Sequence, residues 1–108
     1  IMSIEEMNYD VVIVGAGPAG LSAAIKLKQL SSEISVCIIE KGSEVGAHIL
    51  SGAILEPDSL NQLIPNWKEL NAPIKTKVQK ENFFFLTKKH QLKLPNFLLP
   101  KDMKKKII

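Results

Sequence analysis

The sequence predicts an α/β fold that opens with a parallel strand–helix–strand unit, and three stretches carry that reading. Tyr9-Asp10-Val11-Val12-Ile13-Val14 is an apolar, β-branched run ending at a glycine. From Pro18 the apolar spacing becomes helical. Ile34-Ser35-Val36-Cys37-Ile38-Ile39 is a second apolar run, ending at Glu40.

Each element follows from its residues. A continuous apolar run, rather than an alternating one, suits a strand covered on both faces, as parallel sheets require. In the helix, Gly20, Ala23, Ala24, Leu27 and Leu30 recur at three- and four-residue steps and form one face, with Lys26 and Lys28 off it. Ser31-Ser32 closes the helix. Strand, helix and strand together occupy roughly thirty residues, the length of a right-handed βαβ crossover.

The pattern then changes. Lys41 to Leu55 contains Gly42, Gly46 and Gly52, and no charged side chain from Val45 to Leu55. Residues 57–64 read as a short helix with Pro57 in its first turn, stopped before Pro65. Trp67 and Leu70 suggest one further turn, and Pro73 marks a loop. Phe83 to Thr87 and Leu92 to Leu94 flank Lys88-Lys89-His90-Gln91 and read as a β-hairpin. Pro95, Pro100 and the closing lysines read as loop. There is no internal repeat.

Composition narrows the class. With 45% hydrophobic and 23% charged residues in 108, the chain reads as one globular domain rather than a disordered segment. Cys37 is the single cysteine, which excludes a disulfide framework or a multi-cysteine metal site within this sequence; its apolar run predicts a buried, inert thiol. Three lysines face eight acids in residues 1–67, but eleven lysines face three acids from 68 onward. Such a basic half suits an anionic lipid surface or an acidic protein partner, although solvated surface lysines are the plainer reading. No aromatic-interleaved RNA motif or zinc finger accompanies it, so nucleic acid is not an expected partner. All the basic residues are lysine, which supplies point charge without the bidentate fork of arginine. Val11 to Ile25 is too short to span a bilayer, and Glu5, Glu6 and Asp10 precede it where a signal peptide would be basic.

The chemistry lies at the front end. Gly15-Ala16-Gly17-Pro18-Ala19-Gly20 is a G-x-G-x-x-G string in its required context: a strand before it, a helix after it, and an acid closing the next strand. Gly15 permits the tight turn out of the strand. Gly17 lets a pyrophosphate approach the backbone, and Gly20 lets the helix pack closely on the sheet. Amides opening the helix lack internal partners and point at the phosphates, helped by the positive end of the helix dipole. Pro18 suits an early helical position, where a missing N–H costs little. Glu40, twenty residues after Gly20, is placed to accept hydrogen bonds from both ribose hydroxyls, and its charge argues against a 2′-phosphate and hence against NADP. This is an FAD/NAD(P)-binding, Rossmann-like βαβ unit. The glycine-rich uncharged segment after Glu40, in place of another quick helix–strand unit, favours FAD over NAD.

Three strings carry a more specific resemblance: DVVIVGAGPAGLSAAIKLKQL from Asp10, VCIIEKGSEVGAHILSGAILEPDSLNQLIPNWKELNAPI from Val36, and LTKKHQLKLPNFLLPKDM from Leu86. From about Tyr9 to Met103 the sequence resembles the N-terminal part of the electron transfer flavoprotein–ubiquinone oxidoreductases. The resemblance implies a flavoenzyme on one leaflet of a bacterial or mitochondrial inner membrane. Such an enzyme takes electrons from reduced electron transfer flavoprotein, passes them to ubiquinone, and holds FAD and one iron–sulfur cluster. Carried over by residue, Gly15, Gly17, Pro18, Ala19 and Gly20 bind the FAD pyrophosphate and Glu40 the ribose, flanked by Val14 and Lys41. Ser51 and Gly52 are expected near the flavin, because small residues let the ring approach. No catalytic residue and no metal ligand is expected, since the cofactor carries the redox chemistry. Residues 45–64 would lie at the quinone entry and dip into the membrane surface, with Leu60, Leu63 and Ile64 on one face of the short helix.

The family's proteins are several times longer, their cluster cysteines are absent here, Ile1 is not an initiator, and the residues from Lys104 to Ile108 depart from the family. The chain is therefore expected to be a truncated product or fragment, inactive alone, of three parts. Residues 1–44 would begin the FAD-binding domain, 45–70 form the glycine-rich, short-helix segment, and 71–108 begin the quinone-side domain. A geranylgeranyl reductase-type flavoprotein, a non-catalytic nucleotide-binding remnant and an NAD-linked module stay open as alternatives. His48 is expected to be a structural loop histidine rather than a catalytic base, and His90 to face solvent. Trp67 and Phe83 to Phe85 are expected in the core.

Overall fold

Two apolar runs make a parallel ladder only where backbone pairs with backbone, and here that is a shorter stretch than the runs themselves. In the computed structural model, which describes residues 2–50, 52–80 and 82–98, β1 spans Val11–Val14 and β2 spans Val36–Ile39. They are parallel, with Val11 opposite Val36 and Val14 opposite Ile39. Tyr9, Asp10, Ile34 and Ser35, expected within the strands, lie outside the ladder. At its start, side chains take over the pairing. Asp10 Oδ2 accepts from the Ser35 amide at 2.8 Å and from the Ser35 hydroxyl at 2.7 Å, while the Asp10 amide donates to Ser35 Oγ at 2.9 Å.

The connecting helix α1 spans Pro18–Leu30, with Gly17 as its N-cap, and ends when the Ser31 amide donates to the Leu27 carbonyl at 2.9 Å. Lys28 Nζ, in its last turn, donates to the carbonyls of Ser32 and Ile34, fixing the chain that leads into β2. The half-buried residues of α1 are Gly20, Leu21, Ala24 and Leu27; Ala23 and Leu30 are exposed. The expected stripe thus loses Ala23 and Leu30 and gains Leu21: the half-buried face follows 20, 21, 24 and 27, and the last turn of α1 carries no half-buried residue after Leu27.

Coverage on both sheet faces was also expected and is not what forms. Val11 and Ile13 lie half-buried on the helix side, whereas Val12 and Val14 are exposed, Val14 to 85%. One helix covers one face. Cys37 is likewise half-buried rather than buried, for the same reason.

The chain divides into two units, Ile1–Leu50 and Ser51–Ile108. In the second, α2 spans Pro57–Leu63 with proline at its start. It stops one residue earlier than expected, because Pro65 disfavours helical backbone at Ile64. The Ile64 amide still donates to the Leu60 carbonyl at 2.8 Å. A further turn follows, with Leu70 N–H donating to the Asn66 carbonyl at 3.2 Å, and Asn71 takes the left-handed backbone conformation that ends it. Trp67 is 5% exposed and its indole Nε1 donates to Asn61 Oδ1 at 2.7 Å, so the turn is anchored to α2. Leu60, Leu63 and Ile64 are half-buried, the last of them beyond the end of α2.

The hairpin pairs β3, Phe83–Leu86, with β4, Gln91–Leu94, antiparallel. Thr87 leaves the strand and Gln91 joins one, the reverse of the expected boundaries. The reason is local: Thr87 Oγ1 accepts the His90 amide at 3.0 Å, and the Thr87 amide donates to the His90 carbonyl at 2.8 Å, closing the loop. His90 is exposed, as expected. Phe84 and Phe85 are exposed and Phe83 only half-buried, correcting their expected core placement: adjacent strand residues point to opposite faces, and a two-stranded ladder buries neither fully. A 3-10 turn over Asn96–Leu98 follows Pro95, where loop was expected. The expected departure from the family after Met103 lies outside the described residues.

Among the described residues, Ala16 and Trp67 are the buried hydrophobic ones. One belongs to each unit.

Candidate functional site

The site grows from the end of β1. After Val14 the chain must turn sharply into α1, and Gly15 does so at φ +100°, a backbone conformation that L side chains rarely adopt. Its amide donates to the Ile39 carbonyl at 2.7 Å, which carries the β1–β2 pairing into the loop and sets the loop beside the residue after β2. That residue is Glu40. Ala16, at 3% exposure the best-buried residue of the unit, donates its amide to Glu40 Oε2 at 2.9 Å. Gly42 N–H donates to Glu40 Oε1 at 2.8 Å.

These bonds hold the half-buried Glu40 carboxyl below its ordinary pKa. The Gly42 amide contributes most, then the Ala16 amide; burial opposes them, and smaller electrostatic effects of His48 and of the Lys41 amide add to the lowering. Glu40 is therefore ionised at neutral pH. Two amides do not exhaust an ionised carboxylate, which offers about four lone-pair sites. The remainder can accept hydroxyl donors.

Gly17 is extended, at φ −78° and ψ 179°, and starts the helix; Pro18 occupies the first helical position. The amides of Gly17, Ala19 and Gly20 have no intrahelical acceptor, so three donors are left at the positive end of α1. The glycines divide the work. A Cβ on Gly17 would meet nothing within 4 Å, so an incoming group could reach its backbone there. A Cβ on Gly20 would lie 2.1 Å from the Gly15 carbonyl oxygen, so this glycine serves packing. The residues fit a diphosphate next to a sugar with two free hydroxyls: donors for the anion, a fixed anionic acceptor for the diol.

The remaining expected residues are less involved. Val14 is exposed at the end of β1; Pro18 and Ala19 are exposed in the first turn of α1. The Lys41 side chain is exposed and has no partner among the described residues. Gly52, at φ +80°, belongs to the second unit, and Ser51 lies outside the described residues. Sequence reasoning missed two contributors, Ala16 and Gly42, because both act through backbone N–H. The glycine two positions after the strand-ending acid was the available signal for Gly42.

Residues 9–102 match a family model described as pyridine nucleotide-disulphide oxidoreductase. The chain is 58% identical over 107 residues to the electron transfer flavoprotein-ubiquinone oxidoreductase of Pseudomonas aeruginosa, covering 94% of this chain and 19% of that protein. It is 59% identical over 92 residues to the mitochondrial protein of the same name from Dictyostelium discoideum, covering 82% and 15%. A probable member from Acinetobacter baylyi is 55% identical over 105 residues, covering 92% and 18%. The resemblance read from the three strings is thus borne out, and the chain spans less than a fifth of the length of these relatives. A glycine turn, three free amides and an anchored acid, found on a chain matched nearly end to end, make it a member of the pyridine nucleotide-disulphide oxidoreductase family.

Proposed function

We propose that the chain forms the FAD-binding entry of an oxidoreductase that passes electrons from reduced electron transfer flavoprotein to ubiquinone. The observation that carries this reading is the junction of the glycine turn with Glu40, through the 2.9 Å bond from the Ala16 amide. The names of the relatives supply the donor and the acceptor.

In this reading the amides of Gly17, Ala19 and Gly20 bind the pyrophosphate. Glu40 accepts the ribose hydroxyls and repels a 2′-phosphate. Pro18 presets the first helical turn, and Val14 and Lys41 border the site. When bound, the flavin supplies the redox chemistry; the chain binds and orients it. Ser51 and Gly52 are assigned to the flavin side on the resemblance alone. The iron–sulfur cluster is assigned to sequence beyond this chain, which has a single cysteine.

Contact with a membrane surface is part of the proposal. Val45, Ile49, Leu50, Ile54 and Leu55 are exposed in a stretch without charged side chains, and Leu50 is 88% exposed. No described helix is long and apolar enough to cross a membrane. Residues 1–44 then begin the FAD domain, 45–70 meet the membrane, and 71–108 begin the quinone-side domain.

Reconstitution tests the reading. The purified chain, incubated with FAD and desalted, is expected to retain flavin absorbance that excess NAD does not displace. A colourless chain rejects the FAD assignment, and displacement by NAD favours a nicotinamide site, which Glu40 would serve equally well.

A further inference from the structure

We propose that Gly42 is a positioning residue for Glu40: its N–H and that of Ala16 each hold one carboxylate oxygen, so that Glu40 meets the ribose already oriented. This rests on the dinucleotide reading above and adds to it a residue outside the glycine motif.

A free glutamate samples many rotamers, and a diol can be gripped only from a few of them. Here the side chain is tied at both ends of the carboxylate. Gly42 N–H reaches Oε1 at 2.8 Å from the segment after β2, and Ala16 N–H reaches Oε2 at 2.9 Å from the glycine loop. With one oxygen fixed by each segment, rotation of the carboxylate breaks at least one charge-assisted hydrogen bond. Its free lone pairs are thereby directed before any ligand arrives.

Position 42 also has little room. An added Cβ would lie 3.3 Å from Glu40 Oε1, 3.3 Å from the Ala47 Cβ and 3.2 Å from the Glu44 carbonyl oxygen. A side chain there presses on the carboxylate it should hold. Gly15 to Gly20 bring no ionisable side chain to Glu40, whereas its own segment brings Lys41, Glu44 and His48. The amide pair is the directional part of its surroundings, since His48 contributes less and makes no hydrogen bond to the carboxylate.

The test uses the 108-residue chain, Gly42→Pro, which lacks the N–H, and Gly42→Ala, which keeps it. Two readouts are needed: the Glu40 carboxyl titration followed by NMR without ligand, and the affinities for ADP and 2′-deoxy-ADP. In the parent chain Glu40 is expected to titrate below the ordinary carboxylate range and ADP to bind better than its deoxy analogue. Gly42→Pro is expected to return Glu40 to the ordinary range, weaken ADP by roughly tenfold or more, and abolish the preference for ADP. Gly42→Ala is expected to fall between the two. An unchanged Glu40 titration in a folded Gly42→Pro chain overturns the proposal. So does equal weakening of both nucleotides, which a merely structural role would give; if Gly42→Pro does not fold, a parent chain whose Glu40 titrates in the ordinary range, or that binds ADP and 2′-deoxy-ADP equally, does the same. A parent chain that binds neither nucleotide instead rejects the dinucleotide reading itself.

Discussion

A Cβ placed on Gly20 would sit 2.1 Å from the Gly15 carbonyl oxygen, so α1 meets the loop after β1 backbone to backbone. Alanine raises helix propensity over glycine by about 1 kcal/mol. Overpacking costs about 1–3 kcal/mol, and the obstacle here is backbone, which cannot swing aside as a side chain can. The clash should win. Gly20→Ala is expected to destabilise the chain by about 2 kcal/mol, measured as a shifted denaturant midpoint. A variant as stable as the parent would show that α1 can lift off the sheet freely.

Gly17 should behave in the opposite way. Its φ of −78° suits any residue, and an added Cβ meets nothing within 4 Å. Gly17→Ala is therefore expected to leave stability within about 0.5 kcal/mol, the poorer cap offset by a less flexible unfolded chain. The same methyl would stand where a diphosphate must approach the amides. FAD retention after desalting should drop sharply. Equal retention by the variant and the parent would move the anion away from this turn.

How much was legible in the sequence follows from which forces set each feature. The glycine turn, α1 and Glu40 could be read because each depends on local backbone chemistry at fixed spacing. The tie between Asp10 and Ser35 could not, since two polar residues 25 apart carry no periodic signal. Strand coverage was misread for Val12 and Val14: an apolar run reports what a strand can bury, not what is present to cover it. For Phe84 and Phe85, aromatic character suggested core, but a two-stranded ladder has no interior. At the site, the roles of Ala16 and Gly42 escaped because their side chains do none of the work.

Asp10 and Glu40 predict the acid response. Both carboxyls lie below their ordinary pKa, Asp10 through the Ser35 amide and then the Ser35 hydroxyl, Glu40 through the Gly42 and Ala16 amides. A carboxylate whose pKa falls on folding stabilises the fold fully above its unfolded value, about 4. That contribution disappears as pH falls through the lower, folded value. The melting temperature is thus expected to be flat near neutrality and to decline below about pH 4. Asp10→Asn, which cannot titrate, should be less stable at pH 7 and show a shallower acid decline. A variant whose decline matches that of the parent would remove Asp10 from the account.

Stability itself should depend on ligand. Each buried hydrophobic residue among those described stands alone in its unit, Ala16 in the first and Trp67 in the second, and the β1–β2 ladder is covered on one face. A two-stranded sheet with one helix is marginal in water, because little apolar area offsets the entropy of ordering the chain. A ligand that binds only the folded form adds stability by mass action, about 2.7 kcal/mol at a hundredfold excess over Kd. In a small domain each kcal/mol raises the melting temperature by about 4–8 °C. Thermal melts of the 108-residue chain are expected to show a low midpoint that climbs as FAD is added and keeps climbing with concentration. A high midpoint indifferent to FAD would mean that packing, not the grip on a dinucleotide, holds β1, α1 and β2 together.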